Sequence, residues 1–134
     1  MPHLIVEYSA NLDTVIDIQT LVHAVQDAAH ETGIFPKAGT RTRAERREVY
    51  EIADGHDDNG FVHLIVRIGS GRPVEVRKEA GDLIFKRLTA ALDEVYKAHP
   101  LAISFEMVEI DPDTTWKQNN IQAFLEARGH GSAA

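Results

Sequence analysis

The residue with the most unusual chemical potential in this chain is a proline at its start. Pro2 follows Met1 and opens the apolar run His3-Leu4-Ile5-Val6, so removal of one residue would leave a secondary amine at the chain's beginning. A free α-amino group has a pKa near ~7.7–8.0, and burial beside cationic groups lowers that pKa towards neutrality. Pro2 is therefore a candidate general base. The alternative is that Pro2 only starts an edge strand, where a missing N–H does no harm.

Three arginines lie where binding sites are usually built, at a strand end and in a turn. Arg41 and Arg43 begin the strand expected after the first helix, and Arg72 lies in the turn Gly69-Ser70-Gly71-Arg72-Pro73. Glycine allows close backbone approach, and a guanidinium fork binds a carboxylate bidentately. The arginines therefore predict a site for an organic polyacid. The alternative is that each forms a surface salt bridge, with Glu45, Glu48 or Glu75 as partner.

The potential metal-binding side chains lack the spacing of a metal site. The run Asp54-Gly55-His56-Asp57-Asp58-Asn59-Gly60 has neither the alternating ligands nor the terminal acid of a calcium loop, and it predicts a solvated turn. The seven histidines show no HExxH pattern or paired spacing. His3 and His63 occupy matching positions and are interpreted as structural. We therefore expect no metal.

Composition limits the classes of protein to consider. A chain of 134 residues, 43% of them hydrophobic, predicts one compact domain spanning 1–134. Cysteine is absent, which excludes disulfides and thiolate chemistry. The net charge of −7 opposes nucleic-acid binding, and an anionic ligand would need a local arginine cluster. Without a long apolar stretch or a leader, a soluble cytoplasmic protein with no membrane partner is expected.

The chain contains an internal repeat. The run His3-Leu4-Ile5-Val6 recurs as His63-Leu64-Ile65-Val66, an offset of 60 residues, and each copy precedes a helical pattern and a second strand. This order predicts a duplicated βαβ unit, with repeats at about 2–52 and 61–110 and a C-terminal segment at 111–134. The expected fold is α+β, a four-stranded sheet with two helices on one face.

Periodicity places the elements within each repeat. An amphipathic stripe predicts the first helix over about 13–32, ended by Gly33, and a second stripe predicts a helix with Pro73 at its first position that stops before His99. Strands are expected at about 40–52 and 102–110. The first of these is so rich in charge that it is also compatible with a helix, and only the repeat favours a strand.

Several motifs in order resemble the 5-carboxymethyl-2-hydroxymuconate isomerase family, which belongs to the tautomerase superfamily. The similarity runs from Met1 to about Phe124, and residues 126–134 have no counterpart and are expected to form a loose tail. The motifs that carry the resemblance are Met1-Pro2-His3-Leu4-Ile5-Val6-Glu7-Tyr8-Ser9, Thr32-Gly33-Ile34-Phe35-Pro36, Ala53-Asp54-Gly55, Phe61-Val62-His63, Gly69-Ser70-Gly71-Arg72, Ser104-Phe105-Glu106 and Lys117-Gln118-Asn119-Asn120.

The resemblance implies roles for individual residues. Pro2 is expected to be the catalytic base, Arg41 to bind a carboxylate and polarise the 2-oxo end, and Arg72 to be a second carboxylate clamp. It also implies no metal or organic cofactor and a homotrimer whose sites combine residues of two subunits. The segment with Trp116 and Lys117-Gln118-Asn119-Asn120 is expected to serve the trimer or the fold rather than catalysis. The roles of Arg43, Tyr50 and Trp116 stay open.

The implied function is an isomerase that converts 5-carboxymethyl-2-hydroxymuconate, a small polycarboxylate, to its 2-oxo-3-ene isomer in homoprotocatechuate degradation. One alternative is a tautomerase of the same superfamily that acts on another oxo-acid. A second is a trimeric binding module without catalysis. A third, a ferredoxin-like regulatory domain, shares the element order but would not explain Pro2 together with the arginines.

Overall fold

The chain folds around a four-stranded sheet. In the computed structural model, which describes residues 1–129, the strands are β1 (His3–Ser9), β2 (Arg41–Arg47), β3 (Gly60–Gly69) and β4 (Leu101–Ile110). Their order in the sheet is β2-β1-β3-β4. The pairs β1–β2 and β3–β4 are parallel, and β1–β3 is antiparallel. Two parallel βαβ halves are thus joined side by side, which confirms the predicted duplicated fold.

Two helices, α1 (Ile18–Glu31) and α2 (Val74–Ala91), cover one face of this sheet. Two shorter helices follow, α3 (Asp93–Ala98) and α4 (Ile121–Ala127). The core lies between the sheet and the first two helices, where apolar side chains are removed from water. Its buried members are Leu4, Val6, Tyr8, Leu12, Leu21, Val25, Ala28, Ala29, Phe35, Val62, Leu64, Val66, Ile68, Ile84, Leu88 and Leu92. Among residues 1–129, no helix has the length and apolar character needed to cross a membrane.

The charged segment after α1 is a strand, as the repeat predicted. Each residue of β2 pairs with one of β1, from Arg41 opposite His3 to Arg47 opposite Ser9. The prediction that the strand continues to residue 52 is wrong. Since Ser9 is the last residue of β1, the chain beyond Arg47 has no strand to pair with, and Val49 is 96% exposed. Charges on this edge strand oppose pairing with other chains.

The predicted helix boundaries need correction at three places. The first helix starts at Ile18 because the Asp17 carboxylate caps it, accepting from the Thr20 N–H at 3.2 Å. Residues before it form a short 3-10 helix, Ala10–Thr14. Pro73 occupies the N-cap position of α2, one residue before the first helical position, and makes no capping hydrogen bond. The second helix is interrupted at Leu92, which is fully buried and has ψ near 4°, so α3 is separate.

Other boundary predictions hold. Gly33 ends α1 with a φ of +73°, a conformation that favours glycine. The second helical stretch ends before His99, at the close of α3. At the C-terminus the predicted tail is wrong in part, because Glu126 belongs to α4. The rest of that prediction, from residue 130 onward, lies outside the described residues.

The acidic segment between the repeats is a turn, as predicted. The Asn59 amide donates to the Ile52 carbonyl at 3.0 Å and to the Asp54 carboxylate at 2.7 Å, which ties the two ends of the turn together. Within residues 1–129 no group of three or more histidine, cysteine or acidic side chains is arranged to hold a metal ion. The segment therefore acts as a connection from the first repeat to β3.

Candidate active site

Pro2 lies at the beginning of an interior strand. It is buried, and its carbonyl accepts from the Arg41 N–H at 3.2 Å. Because β1 pairs with β2 on one side and β3 on the other, the alternative that Pro2 starts an edge strand is wrong. A proline is tolerated here because it precedes the first strand residue, His3. The arrangement holds the chain start directly beside Arg41.

A cavity of about 540 Å³ opens at this end of the sheet. It is formed by the start of the chain, the end of β3 and the segment that follows β4. Its volume is in the range that small-molecule sites occupy. Its lining residues are Met1, His3, Arg41, Gly69, Ser70, Ile110, Pro112, Thr115, Trp116, Lys117 and Gln118.

The His3 imidazole stands between two arginines of the neighbouring strand. Its Nε2 lies 3.2 Å from Nη2 of Arg41, and its Nδ1 lies 3.0 Å from Nη1 of Arg43. The three side chains are on the same face of the sheet, because Arg41 is level with His3 and Arg43 is two residues further along β2. The sequence interpretation of His3 as merely structural did not foresee this position in the cavity wall.

The surroundings of the cavity favour the neutral forms of its two basic groups, the terminal amine and His3. Burial lowers the pKa of the α-amino group, here on Met1, and Lys117, Arg41 and Arg72 lower it further in that order. The pKa of His3 is also lowered, first by burial and then by Arg41 and Arg43. Both shifts arise because a positive charge is disfavoured away from water and beside other cations. An amine at this position is therefore more often a free base at neutral pH than an ordinary terminus.

Arg72 lies near the site but is held by the backbone. Its Nη2 donates to the Ile34 carbonyl at 2.9 Å, and the guanidinium carbon is 5.4 Å from the centre of the Phe35 ring. The side chain is half-buried and does not line the cavity. The structure thus brings Pro2 and Arg41 together and places Arg72 behind them, within electrostatic range of the amine.

The salt-bridge alternative for these arginines is wrong. In the described part of the chain, neither Arg41, Arg43 nor Arg72 forms an ion pair with a carboxylate. The arginines that form salt bridges are at the other end of β2. Arg46 pairs with Asp13 and Glu48, and Arg47 pairs with Glu7 and Glu45. The arginines at the cavity end therefore keep an excess of positive charge in a chain whose net charge is −7.

The segment after β4 contributes a lysine that the sequence interpretation assigned to the fold or the trimer. Lys117 lines the cavity and is the first of the cations that lower the pKa of the terminal amine. Asn119 holds this segment in place, donating to the Ala38 carbonyl at 3.0 Å and accepting from the Ile121 N–H at 2.8 Å. The resemblance had already singled out this motif, but only the fold shows that Lys117 and Trp116 reach the cavity. Arg43 and Tyr50 do not line it.

A second cavity, of about 530 Å³, lies between α2 and β4. Apolar side chains dominate its walls, and Phe85 stacks on Phe105 with ring centres 6.5 Å apart. Met1, Arg41 and Lys117, which line the first cavity, do not line this one. The chemistry of proton transfer and anion binding therefore points to the cavity at the chain start.

Comparison with known proteins agrees with this geometry. The profile of the 5-carboxymethyl-2-hydroxymuconate isomerase family matches residues 2–125, nearly the whole chain. The chain belongs to this family. The 5-carboxymethyl-2-hydroxymuconate Delta-isomerase of Escherichia coli is 37% identical over 126 residues, which are 94% of this chain and 100% of that protein.

Solved structures extend the comparison to the fold. A 5-carboxymethyl-2-hydroxymuconate isomerase from Deinococcus radiodurans R1 has 38% identity and a TM-score of 0.85, with 92% of each chain covered. A fused 4-OT symmetric trimer has 17% identity and a TM-score of 0.60 over 87% of this chain and 93% of that one, which shows a common fold only. Membership of the isomerase family and the tautomerase fold, both predicted from the sequence, are confirmed. The chain is an isomerase.

Proposed function

We propose that this protein converts 5-carboxymethyl-2-hydroxymuconate to its 2-oxo-3-ene isomer, with Pro2 as the catalytic base after removal of Met1. The observation that carries the proposal is the cavity at the chain start. There, burial and three cations lower the pKa of the terminal amine, and Arg41 and Lys117 line the same walls. Without Met1, the Pro2 amine takes the place of the terminal group beside these cations.

One base serves both proton transfers. The neutral Pro2 nitrogen takes the proton of the 2-hydroxyl, and the O–H bonding pair becomes part of the C2 carbonyl. The double bonds shift along the dienol, so that C3 and C4 become doubly bonded. C5 then takes the proton back from the Pro2 ammonium, which restores the free amine. No atom is gained or lost, so the reaction needs no co-reactant, and we propose that it needs neither a metal nor an organic cofactor.

The cationic side chains match the charge that the reaction develops. Deprotonation of the 2-hydroxyl adds negative charge to a substrate that already carries carboxylates, and we propose that Arg41, which lines the cavity, binds that end of the molecule. Preorganised cations in a partly buried cavity stabilise such a dienolate without reorganising. The same cations disfavour protonated Pro2 and so keep it ready as a base. We propose Arg72 as the second group that attracts a substrate carboxylate. Its guanidinium is bound to the Ile34 carbonyl outside the cavity wall, so it acts through its charge.

We further propose a homotrimer in the cytoplasm, in which the helix-free face of the sheet and the C-terminal segment contact neighbouring subunits. That face carries the half-buried Ile5 and Ile65 at its centre. Trp116 and Phe124 are 87% and 55% exposed in the C-terminal segment. Burying such side chains between subunits would remove apolar area from water. Assembly would also bring residues of a second subunit to the open side of the cavity.

An ultraviolet assay of the purified protein tests the function. Mass spectrometry first establishes that Met1 is absent, and the protein is then given 5-carboxymethyl-2-hydroxymuconate, 2-hydroxymuconate and phenylpyruvate in parallel. The proposal expects the highest kcat/KM for the first compound. A preference for either of the others would instead indicate a different oxo-acid tautomerase. Absence of turnover with all three compounds, in protein that has lost Met1, would support the alternative of a binding module without catalysis.

A further inference from the structure

The contacts of His3 with two arginines contain a conflict of hydrogen-bond donors. A neutral imidazole has one N–H and one lone pair, whereas a guanidinium nitrogen only donates. Since Arg41 faces Nε2 at 3.2 Å and Arg43 faces Nδ1 at 3.0 Å, only one of these contacts is a hydrogen bond. The other brings two N–H groups together. This holds for either tautomer, and protonation would turn both contacts into donor pairs.

Two tautomers of neutral His3 fit these contacts, and they differ in which arginine donates to the ring. With Nδ1 as the acceptor from Arg43, which makes the shorter contact, Nε2 carries the hydrogen. Arg67 lies opposite His3 on β3, and no carboxylate contacts the ring within residues 1–129. With cations on both neighbouring strands and the terminal amine close by, burial and these charges lower the pKa of His3. The lowered pKa favours the neutral imidazole at pH 7, and in this tautomer its Nε2–H is directed to Arg41.

Two donors consequently stand side by side in the cavity wall. Nε2–H of His3 and Nη2 of Arg41 lie 3.2 Å apart, and both residues line the cavity. In this tautomer neither atom has an acceptor within residues 1–129. A pair of donors at this separation matches an anionic oxygen placed between them or the two oxygens of one carboxylate. Arg43, by contrast, contacts the ring from outside the cavity.

We propose that His3 is a substrate-binding residue, donating from Nε2 to the same carboxylate that Arg41 binds, and that Arg43 is a positioning residue that fixes this tautomer. The inference rests on the proposed function and extends its carboxylate site. It gives His3 a role that neither its type nor its place in a strand indicates. It also explains why two arginines at alternate positions of β2 flank one imidazole.

The second repeat contains a built example of this contact. His63 occupies the position of His3 in that repeat, and its Nε2 lies 2.9 Å from the Glu106 carboxylate while its Nδ1 lies 2.6 Å from Oγ of Ser104. A carboxylate on Nε2 and a donor on Nδ1 are the two contacts proposed for His3 with substrate bound. The ring nitrogens face opposite neighbours in the two repeats. Nε2 of His3 faces Arg41, the counterpart of Ser104, and Nδ1 faces Arg43, the counterpart of Glu106. Within residues 1–129 no carboxylate contacts His3, so in the proposal the carboxylate comes from the ligand.

Nitrogen NMR of the Met1-free protein tests the tautomer directly. The ¹⁵N shifts of the His3 ring, assigned by their loss in His3→Gln, should show Nε2–H and a neutral ring at pH 7.5. Glutarate, a dicarboxylate with no enol, should displace the Nε2 resonance saturably. Arg43→Gln should shift the ring to a mixture of tautomers. An Nδ1–H ring, a cationic ring, or no displacement at saturating glutarate would overturn the inference.

Two matched variants of His3 distinguish a hydrogen bond donated by Nε2 from a role of the side chain in packing alone. The Gln amide N–H reaches the place of Nε2, whereas the shorter Asn reaches only that of Nδ1. We expect His3→Asn to raise KM about tenfold and His3→Gln less than about threefold, with kcat little changed in both. Equal KM values in the two variants, at equal thermal midpoints, would refute donation from Nε2. If wild-type protein turns over no substrate, the proposed function fails, while the glutarate titration still decides the role of His3.

Discussion

Ile5 lies directly opposite Ile65 in the antiparallel pair of β1 and β3. With the repeat offset of 60 residues, Ile65 is also the residue of the second repeat that corresponds to Ile5. An internal two-fold axis therefore passes between these two residues. The axis exchanges the two halves of the sheet, so every position at one end has an equivalent at the other. The His3 cluster and the His63 cluster are such equivalents.

Only one of the two equivalent ends contains the proposed site. The counterpart of Pro2 is Val62, which is fully buried inside β3 and has no free amine. The residue level with His63 is Ser104, where the first repeat has Arg41 level with His3. The second end thus lacks the base, and Ser104 and Glu106 stand there in place of Arg41 and Arg43. Duplication supplied the scaffold, while the chain start and two arginines made one end chemically distinct.

Replacing Pro2 should reduce turnover strongly. Pro2→Ala keeps an amine after processing but loses the ring that fixes the backbone at the chain start. We expect kcat/KM to fall by a factor of about 100 or more, in the range of general base catalysis. The ultraviolet assay measures the loss, and Pro100→Ala, which changes a proline outside the cavity, is the control. Near wild-type turnover in Pro2→Ala would refute the mechanism.

The two proposed carboxylate-binding arginines should differ in their effect on stability. Both Arg41→Ala and Arg72→Ala should raise KM about tenfold or more, because Arg41 is a cation of the cavity wall and Arg72 a cation within electrostatic range of it. Only Arg72→Ala leaves a partly buried carbonyl, that of Ile34, without its donor, which should cost about 1–2 kcal/mol. Urea unfolding together with steady-state kinetics checks both effects. An Arg72→Ala variant with unchanged KM would reduce Arg72 to a structural role, and Arg46→Ala is the control for charge.

Removing Lys117 should shift the pH dependence of the reaction. Lys117 is the leading charged cause of the lowered pKa of the terminal amine, so Lys117→Gln should raise the pKa of that amine. A higher pKa leaves less free base at low pH, and the acidic limb of kcat/KM should therefore move to higher pH. The profile from pH 5.5 to 9 measures this shift. Lys97→Gln, which breaks a surface pair with Asp93, should leave the limb in place.

Stability should fall as the pH drops below 6.5. Burial is the main cause of the lowered pKa of His3 and His30, so the unfolded chain binds protons that the folded chain resists. The free energy of unfolding therefore decreases from the ordinary histidine pKa of 6.5 downward and is unaffected by this term above it. Asp13 and Glu31 have pKa values below their ordinary 3.8 and 4.5 and titrate at lower pH. Urea unfolding between pH 5 and 7.5 should show a shallower slope in His30→Gln than in wild-type protein.

Ser9 should be important for the packing of the two halves of the sheet. It is fully buried, and its Oγ accepts from the Phe61 N–H at 2.9 Å. Ser9→Ala leaves that N–H without its partner, and we expect a loss of about 1–3 kcal/mol. Chemical denaturation measures it, with the exposed Ser70→Ala as the control. A loss no greater than in that control would show that the bond contributes little.

The sequence by itself determined the duplicated fold and the direction of the chemistry. Alternating strands, helical stripes and the repeat of His3-Leu4-Ile5-Val6 are local patterns, because burial of one face imposes its period on neighbouring residues. They predicted four strands and two covering helices. Pro2 and Arg41 were found because of their residue types and their places beside strand starts, and the family resemblance agreed with both.

Tertiary structure decided the contacts that depend on residues far apart in the chain. His3 on β1 contacts Arg43 on the neighbouring strand β2. Lys117 lies near the terminal amine, in a segment that Asn119 binds to the Ala38 carbonyl. Arg72 turns to the Ile34 carbonyl, 38 residues away, rather than into the cavity. Hydrophobic periodicity within one element cannot predict these contacts, because they form between the ends of different elements after the elements have packed. The sequence therefore indicated which groups could act, and the fold determined which of them face one another.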